Sequence, residues 1–101
     1  MFQLDIHPEA IIDIETAALW YEERKPGLGT DFSRTIRHSI STLPANPLIY
    51  RIRDRRRNIR WVLSSRFPFR IVYRVKENLV TVIAVIHAAR YDHQWTKRTS
   101  G

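Results

Sequence analysis

Two apolar runs near the end of the chain constrain its fold more than any other feature: Phe67-Pro-Phe-Arg-Ile-Val-Tyr-Arg-Val75 and Leu79-Val-Thr-Val-Ile-Ala-Val-Ile86, separated only by Lys76-Glu-Asn78. In the first, Phe67, Phe69, Ile71, Tyr73 and Val75 alternate with Arg70, Val72 and Arg74. That period of two predicts a strand with one apolar and one partly cationic face. The second run is apolar at nearly every position, as in a strand buried on both faces. A short polar turn between them predicts a β-hairpin. The hairpin runs straight into His87-Ala-Ala-Arg-Tyr-Asp-His-Gln-Trp95-Thr-Lys-Arg98, a segment dense in basic and aromatic groups. A buried element thus ends in a candidate working surface.

The remaining elements follow from the same periodicities. Phe2 to Ile6 alternates like a short strand, and His7-Pro8-Glu9 predicts a helix start with proline at the first helical position, the helix running to about Arg24. Ala10, Ile14, Ala17, Ala18 and Tyr21 form one stripe of that helix. Ile12, Leu19 and Trp20 form a second, predicting contact with both a sheet and another helix. Pro26-Gly27 breaks the helix, and Leu28, Phe32, Ile36, Ile40 and Leu43 mark a second one that ends before Pro44 and Asn46-Pro47. From Tyr50 onward the period is two: Ile59, Trp61 and Leu63 alternate with Arg60, Val62 and Ser64. The order is β-α-α-β-β-β. It predicts an α+β fold with a helical hairpin packed on one face of a small, mostly antiparallel sheet, the other face and the C-terminal tail being open.

The chain has 101 residues, read as a single domain over 1–101 with a tail from about residue 88. Its 44% hydrophobic content and three glycines exclude a disordered or low-complexity chain. No apolar run approaches 18 residues, and Asp5, His7 and Glu9 interrupt any signal-peptide pattern, so neither a membrane span nor export by that route is expected. The lack of cysteine fits a reducing cytoplasm. His7, His38, His87 and His93 show no metal-ligand spacing, and no glycine-rich phosphate loop follows a strand, so neither metal nor cofactor is expected. The net charge of +7 favours polyanionic or acidic partners. That charge is uneven. Acidic residues cluster between Asp5 and Asp31, whereas Arg51, Arg53, Arg55, Arg56, Arg57 and Arg60 crowd into ten residues. This run reads either as a solvated loop and strand edge or as a platform for an acidic partner or nucleic acid.

Four stretches carry a family likeness: Trp20-Tyr21 leading into Pro26-Gly-Leu-Gly29 and Asp31-Phe32; Asn46-Pro47; Phe67-Pro-Phe-Arg-Ile-Val-Tyr73; and Val85-Ile-His87 followed by Arg90, Trp95 and Arg98. In this order they resemble the RelE/ParE superfamily of type II toxin-antitoxin toxins, and most closely its ParE or plasmid-stabilisation branch. The resemblance implies a cytoplasmic protein that poisons DNA gyrase and is neutralised by an antitoxin from the neighbouring gene, touching operator DNA only through that antitoxin. Target-binding candidates are Arg70, Arg74, Arg90 and Arg98. Candidates for holding an acidic or amphipathic antitoxin segment across the helical hairpin and sheet edge are Trp20 and the arginines from Arg51 to Arg60.

The RelE branch cuts messenger RNA on the ribosome and needs a proton acceptor, cations for the pentavalent phosphate and a donor to the leaving oxygen. Arg70 matches that branch's arginine in the third strand. Its lysine pair falls around Arg60 to Val62, its later arginine on Ala88 and its late tyrosine near Gln94 or Trp95, so the set is incomplete. A nuclease built differently would draw on Arg70, His87, Arg90, Tyr91 and His93, since histidine titrates near neutrality. The structural alternative is that His87 satisfies a strand end, His93 is solvated and Arg70 pairs with a neighbouring carboxylate. Trp95 reads as a lid over the core, and Arg98 as functional. A non-toxic relic that retains only antitoxin binding is the third reading.

Overall fold

A computed structural model describes residues 2–90 and 94–99. Strand β1 (Gln3–Ile6) leads into helix α1 (Pro8–Arg24), where His7 caps the first turn by accepting the Glu9 amide at Nδ1, 3.1 Å away. Pro8 sits where a missing N–H costs nothing. Helix α2 (Leu28–Thr42) follows after Gly27, whose φ of 89° places it in the left-handed region that favours glycine. The Glu22 carboxylate accepts the amides of Gly27 at 2.9 Å and Gly29 at 3.0 Å, so α1 supplies the side-chain cap that the start of α2 lacks and adds its charge to that of Asp31 in the first turn. Gly29 is buried where the two helices touch. A Cβ there would overlap the Ala18 carbonyl oxygen and lie 2.9 Å from the Glu22 Cβ.

Among the described residues, five strands form one sheet in the order β1-β5-β4-β3-β2, with β2 Ile52–Asp54, β3 Ile59–Leu63, β4 Phe69–Lys76 and β5 Leu79–His87. Only β1 against β5 is parallel among the described residues. The fold is α+β with the helical hairpin on one face, as the periodicities predict. The expected order had no β2. Its three residues are too short to show a period, and a side-chain turn creates it: the Asp54 carboxylate accepts the Arg57 amide at 3.1 Å and the Arg57 guanidinium at 3.0 Å. Asn58, at φ 57°, then donates its side-chain amide to the Val75 carbonyl and returns the chain as β3.

The sheet separates two cores. Ala10, Ile14, Phe32, Ile36 and Ile40 of the helices pack on Phe69, Ile71, Tyr73, Val80 and Val82. On the far face, Ile59, Val72, Ile83 and Ala84 pack on Trp95. Val72 pairs with Ala84 while Tyr73 pairs with Val82, so Ile83 is a bulge residue and adjacent positions 83 and 84 both serve the far core. This is why β5 reads as apolar without alternation.

Register assigns the faces of β3, and the expected open tail is corrected. The apolar alternation of β3 is out of phase with that of β4, because Trp61 pairs with Val72 and Leu63 with Arg70. Ile59 and Trp61 therefore belong to the far face, not to the helical side where Phe69 and Ile71 lie. Nor is the tail open: a 3₁₀ helix over Gln94–Thr99 folds back over the far face, with Trp95 buried as its lid.

Its anchor lies beyond the end of β1. That strand stops at Ile6, opposite Val82, whereas β5 continues to His87. Two backbone groups of the continuing strand are met by side chains. Asp13 of α1 accepts the Val85 amide at 3.0 Å, and Arg98 donates to the Ile83 carbonyl at 3.0 Å. Arg98 and Asp13 close the arrangement with an ion pair at 2.8 Å, and Glu9 adds a contact at 3.1 Å. Buried backbone groups without partners are costly, so this pair does the work of a missing strand.

Candidate partner-binding surfaces

The far face carries a cationic and aromatic groove. The ring of Trp61 on β3 is flanked by Arg53 of β2 and Arg70 of β4, their guanidinium carbons 4.7 and 5.2 Å from its centroid. Tyr50, Leu63 and Ala88 complete a cavity of about 520 Å³. Each cation–π contact at this half-buried ring contributes about 1 kcal/mol, so both arginines remain available to a partner at modest cost. Arg70 also donates to the Arg90 carbonyl at 3.2 Å, which brings two expected target-binding residues together.

The other two are placed differently. Arg98 is only 15% exposed in its pair with Asp13, which corrects its expected place on the outer surface. Arg74 lies beneath the same tail and donates to the Thr99 carbonyl at 3.4 Å. Nothing in their local sequence marks these roles, since Asp13 and Arg98 stand far apart in the chain.

Among the described nuclease candidates, His87 and Arg90 line one cleft of about 360 Å³ with Asp13 and Trp20, whereas Arg70 lies apart from His87. His87 lies on the helical side, its ring centroid 5.3 Å from that of Phe69, beside an apolar cleft of about 190 Å³ lined by Ala17, Trp20 and Tyr21. Its Nδ1 accepts the Ala89 amide at 3.0 Å, so the neutral ring carries its proton on Nε2. Arg70, on the adjacent residue of β4, points to the opposite face against Trp61. Successive strand residues alternate sides, and the sheet itself stands between base and cation. Tyr91 and His93 lie outside the described residues.

The arginine run is also divided. Arg51, Arg53, Arg55 and Arg56 are exposed. Arg57 is tied to Asp54, and its amide and guanidinium hold that carboxyl below the usual carboxylate range, the amide bond being the larger cause. Arg60 is corrected as a platform residue: it is 9% exposed, and its Nε donates to the Tyr50 carbonyl at 2.8 Å. It pairs across the sheet with Tyr73. The Tyr73 hydroxyl, in turn, donates to the Pro47 carbonyl at 2.6 Å, and burial pushes its pKa up to about 12. Asn46-Pro47 is thereby stapled to the core.

A second surface lies outside α1. Its buried side presents Ala10 and Ile14, while Ile12 and Leu19 are 57% and 67% exposed, so the second apolar stripe faces outward rather than into a neighbouring helix. Half-exposed Trp20 sits at one side under the Arg24 guanidinium, 3.6 Å from the ring centroid. On the other side a groove of about 600 Å³ separates α1 from α2, lined by Glu15, Ala18, Leu19, Glu22, Gly29 and Thr30. Apolar patches of this kind mark interaction sites.

The chain matches the family model of the ParE toxin of type II toxin-antitoxin systems, parDE, over residues 4–91. It belongs to the ParE toxin family. The matched stretch runs from β1 through the end of β5 and includes the Trp61 groove and both helices. Among solved structures, the ParE-like fold recurs in a chromosomal ParDE toxin-antitoxin system from P. aeruginosa, with a TM-score of 0.75 and 20% identity over 86% of this chain and 96% of that one. It recurs also in the isolated E. coli RelE toxin, with a TM-score of 0.63 and 19% identity over 96% of this chain and 94% of that one. No curated protein matches in sequence. The chain is therefore a type II toxin by family, with two candidate surfaces on opposite sides of the molecule.

Proposed function

We propose that this ParE-family toxin inhibits DNA gyrase and is neutralised by an antitoxin encoded beside it. The observation that carries the choice of gyrase over messenger RNA is the separation of Arg70 from His87 by the sheet. Where the RelE branch needs further cations, the groove presents Trp61 and Ala88, and Arg60 is occupied with Tyr50. The groove suits binding: it offers charge and stacking surface without a paired acid and base. Arg53 and Arg70 are the target-contacting residues of the groove in this reading, and Arg90, whose carbonyl Arg70 holds, lines the neighbouring cleft beside His87. Because it needs no catalytic step, inhibition should scale with toxin occupancy of gyrase. The antitoxin covers the helical hairpin and the sheet edge, with Trp20 and the exposed arginines at 51, 53, 55 and 56 in contact. Among the described residues no helix is long and apolar enough to cross a membrane, and the proposed target places the toxin in the cytoplasm.

The test is a pair of assays on purified toxin, gyrase supercoiling and cleavage of messenger RNA on programmed ribosomes. Supercoiling inhibited at stoichiometric toxin, with intact messenger RNA, supports the proposal. Ribosome-dependent cleavage with unaffected gyrase overturns it, and inactivity in both favours a non-toxic antitoxin-binding relic.

A further inference from the structure

The positive charge of the chain is concentrated in the strands around Trp61. Residues 50–76 hold ten of the seventeen basic groups and one of the ten acidic ones, a net charge of +9 within a chain of +7. Some of these cations are engaged: Arg57 holds the single acid, Asp54, Arg60 bonds Tyr50, and Arg74 lies beneath the tail. Arg51, Arg53, Arg55 and Arg56 stay exposed. Arg53, Trp61 and Arg70 stand on the neighbouring strands β2, β3 and β4, and both guanidinium groups reach the same ring. No carboxylate lines their groove among the described residues. One-signed charge around a flat aromatic ring matches single-stranded nucleic acid, which brings phosphates for the cations and an unpaired base for the ring. An acidic helix brings charge but no flat face for Trp61, and a duplex keeps its bases stacked on one another. The cavity of about 520 Å³ is of the size that encloses a small ligand such as a single nucleotide unit.

We infer that the Trp61 groove binds single-stranded DNA directly, one base stacking on the Trp61 ring and the adjoining phosphates held by Arg53 and Arg70. A base that takes the place of either guanidinium on the ring leaves that group free to move onto a phosphate, exchanging a cation–π contact for a charge-assisted hydrogen bond. The exposed arginines at 51, 55 and 56 extend the attractive field along the β2 edge. The choice of DNA over RNA rests on the proposed action on gyrase. Supercoiling changes the linking number of DNA, which requires broken strands, so that target presents unpaired nucleotides. His87 lies across the sheet from the groove, and a strand held there is bound without being cut.

The experiment titrates the purified full chain against a short end-labelled DNA strand, its duplex, RNA of the matching sequence and polyglutamate, by fluorescence anisotropy at several salt concentrations. Gyrase supercoiling is assayed on the same preparations. The variants are Trp61→Leu, Trp61→Phe and Arg53→Ala/Arg70→Ala, with Arg34→Ala/Arg37→Ala removing the same two charges from the exposed side of α2 as a control; circular dichroism checks that each folds. The single strand is expected to bind at least about fivefold tighter than the duplex, and Trp61→Leu to weaken it at least about fivefold while Trp61→Phe retains most of the affinity. Arg53→Ala/Arg70→Ala should weaken binding at least about tenfold at low salt and make the logarithmic salt slope shallower by about 1.4, against a change of less than about threefold in the α2 control. Equal losses in the two double-arginine variants, or unchanged affinity in Trp61→Leu, reduce the binding to diffuse net charge and overturn the inference. RNA bound at least about tenfold tighter than DNA overturns the DNA assignment and points to the ribosome. Polyglutamate bound as tightly as DNA at equal charge makes an acidic polypeptide the occupant, which likewise overturns it. A wild-type chain that inhibits supercoiling yet binds no single strand overturns the inference and leaves the gyrase reading intact. Trp61-dependent binding of the DNA strand without any effect on supercoiling supports the site and overturns the gyrase reading instead.

Discussion

Replacing Arg98 by alanine removes the ion pair to Asp13 at 2.8 Å, the contact to Glu9 at 3.1 Å and the hydrogen bond to the Ile83 carbonyl at 3.0 Å. Breaking a fully buried pair costs about 3–5 kcal/mol, because one charge is left unpaired. Here Arg98 and Asp13 retain 15% and 19% of their exposure, so water reaches part of the stranded carboxylate and roughly 2–3 kcal/mol is expected. The half-exposed Glu9 adds less than about 1 kcal/mol. For a domain of this size the loss corresponds to a fall in Tm of roughly 10–20 °C. Loss of the anchor also releases the tail, so Trp95 moves from a buried to a wet environment and tryptophan emission shifts to the red. A double-mutant cycle with Asp13→Ala isolates the pair, with an expected coupling of about 1–3 kcal/mol. Additive effects, or a Tm within 2 °C of wild type for Arg98→Ala, would refute the reasoning and return Arg98 to the target-facing surface.

Three further outcomes follow from local geometry. Gly29→Ala should destabilise by about 1–3 kcal/mol through overpacking of α1 against α2, despite alanine's better helix propensity. Gly27→Ala, with open space around it, should lose only about 1 kcal/mol from the left-handed backbone, and equal losses in urea melts would contradict the distinction. Tyr73 has its pKa raised to about 12 in the folded state, so its contribution is complete below the unfolded value near 10 and fades as pH rises between those two. Urea melts from pH 9 to 12 should show a loss of about 2 kcal/mol beyond that of Tyr73→Phe, itself about 1–2 kcal/mol less stable at neutral pH for want of the Pro47 bond; parallel curves would be inconsistent with this.

Much of the fold is legible in the sequence because its elements are bounded by residues with fixed conformational demands. Pro8, Pro26-Gly27 and Pro44 set the helix limits, and the β4–β5 hairpin follows from period two and a short turn. Strand β2 escapes because it depends on an Asp54–Arg57 turn rather than on any pattern of its own. The phase of β3 escapes because alternation reports that a strand has two faces, while register decides which face is which. At the candidate site, Arg70 and the exposed arginines are readable as charge. The partners that divide Arg98, Arg74 and Arg60 from them are not, because those partners are backbone carbonyls or distant acids supplied by the fold.

The central claim is that the toxin acts from the Trp61 groove and not through His87. Its most direct test is the toxin concentration for half-inhibition of gyrase supercoiling, measured for wild type, Arg70→Ala and His87→Gln with stability checked for each. The account predicts at least a tenfold rise for Arg70→Ala and less than a twofold change for His87→Gln. Full inhibition by Arg70→Ala together with loss of activity in His87→Gln would contradict it.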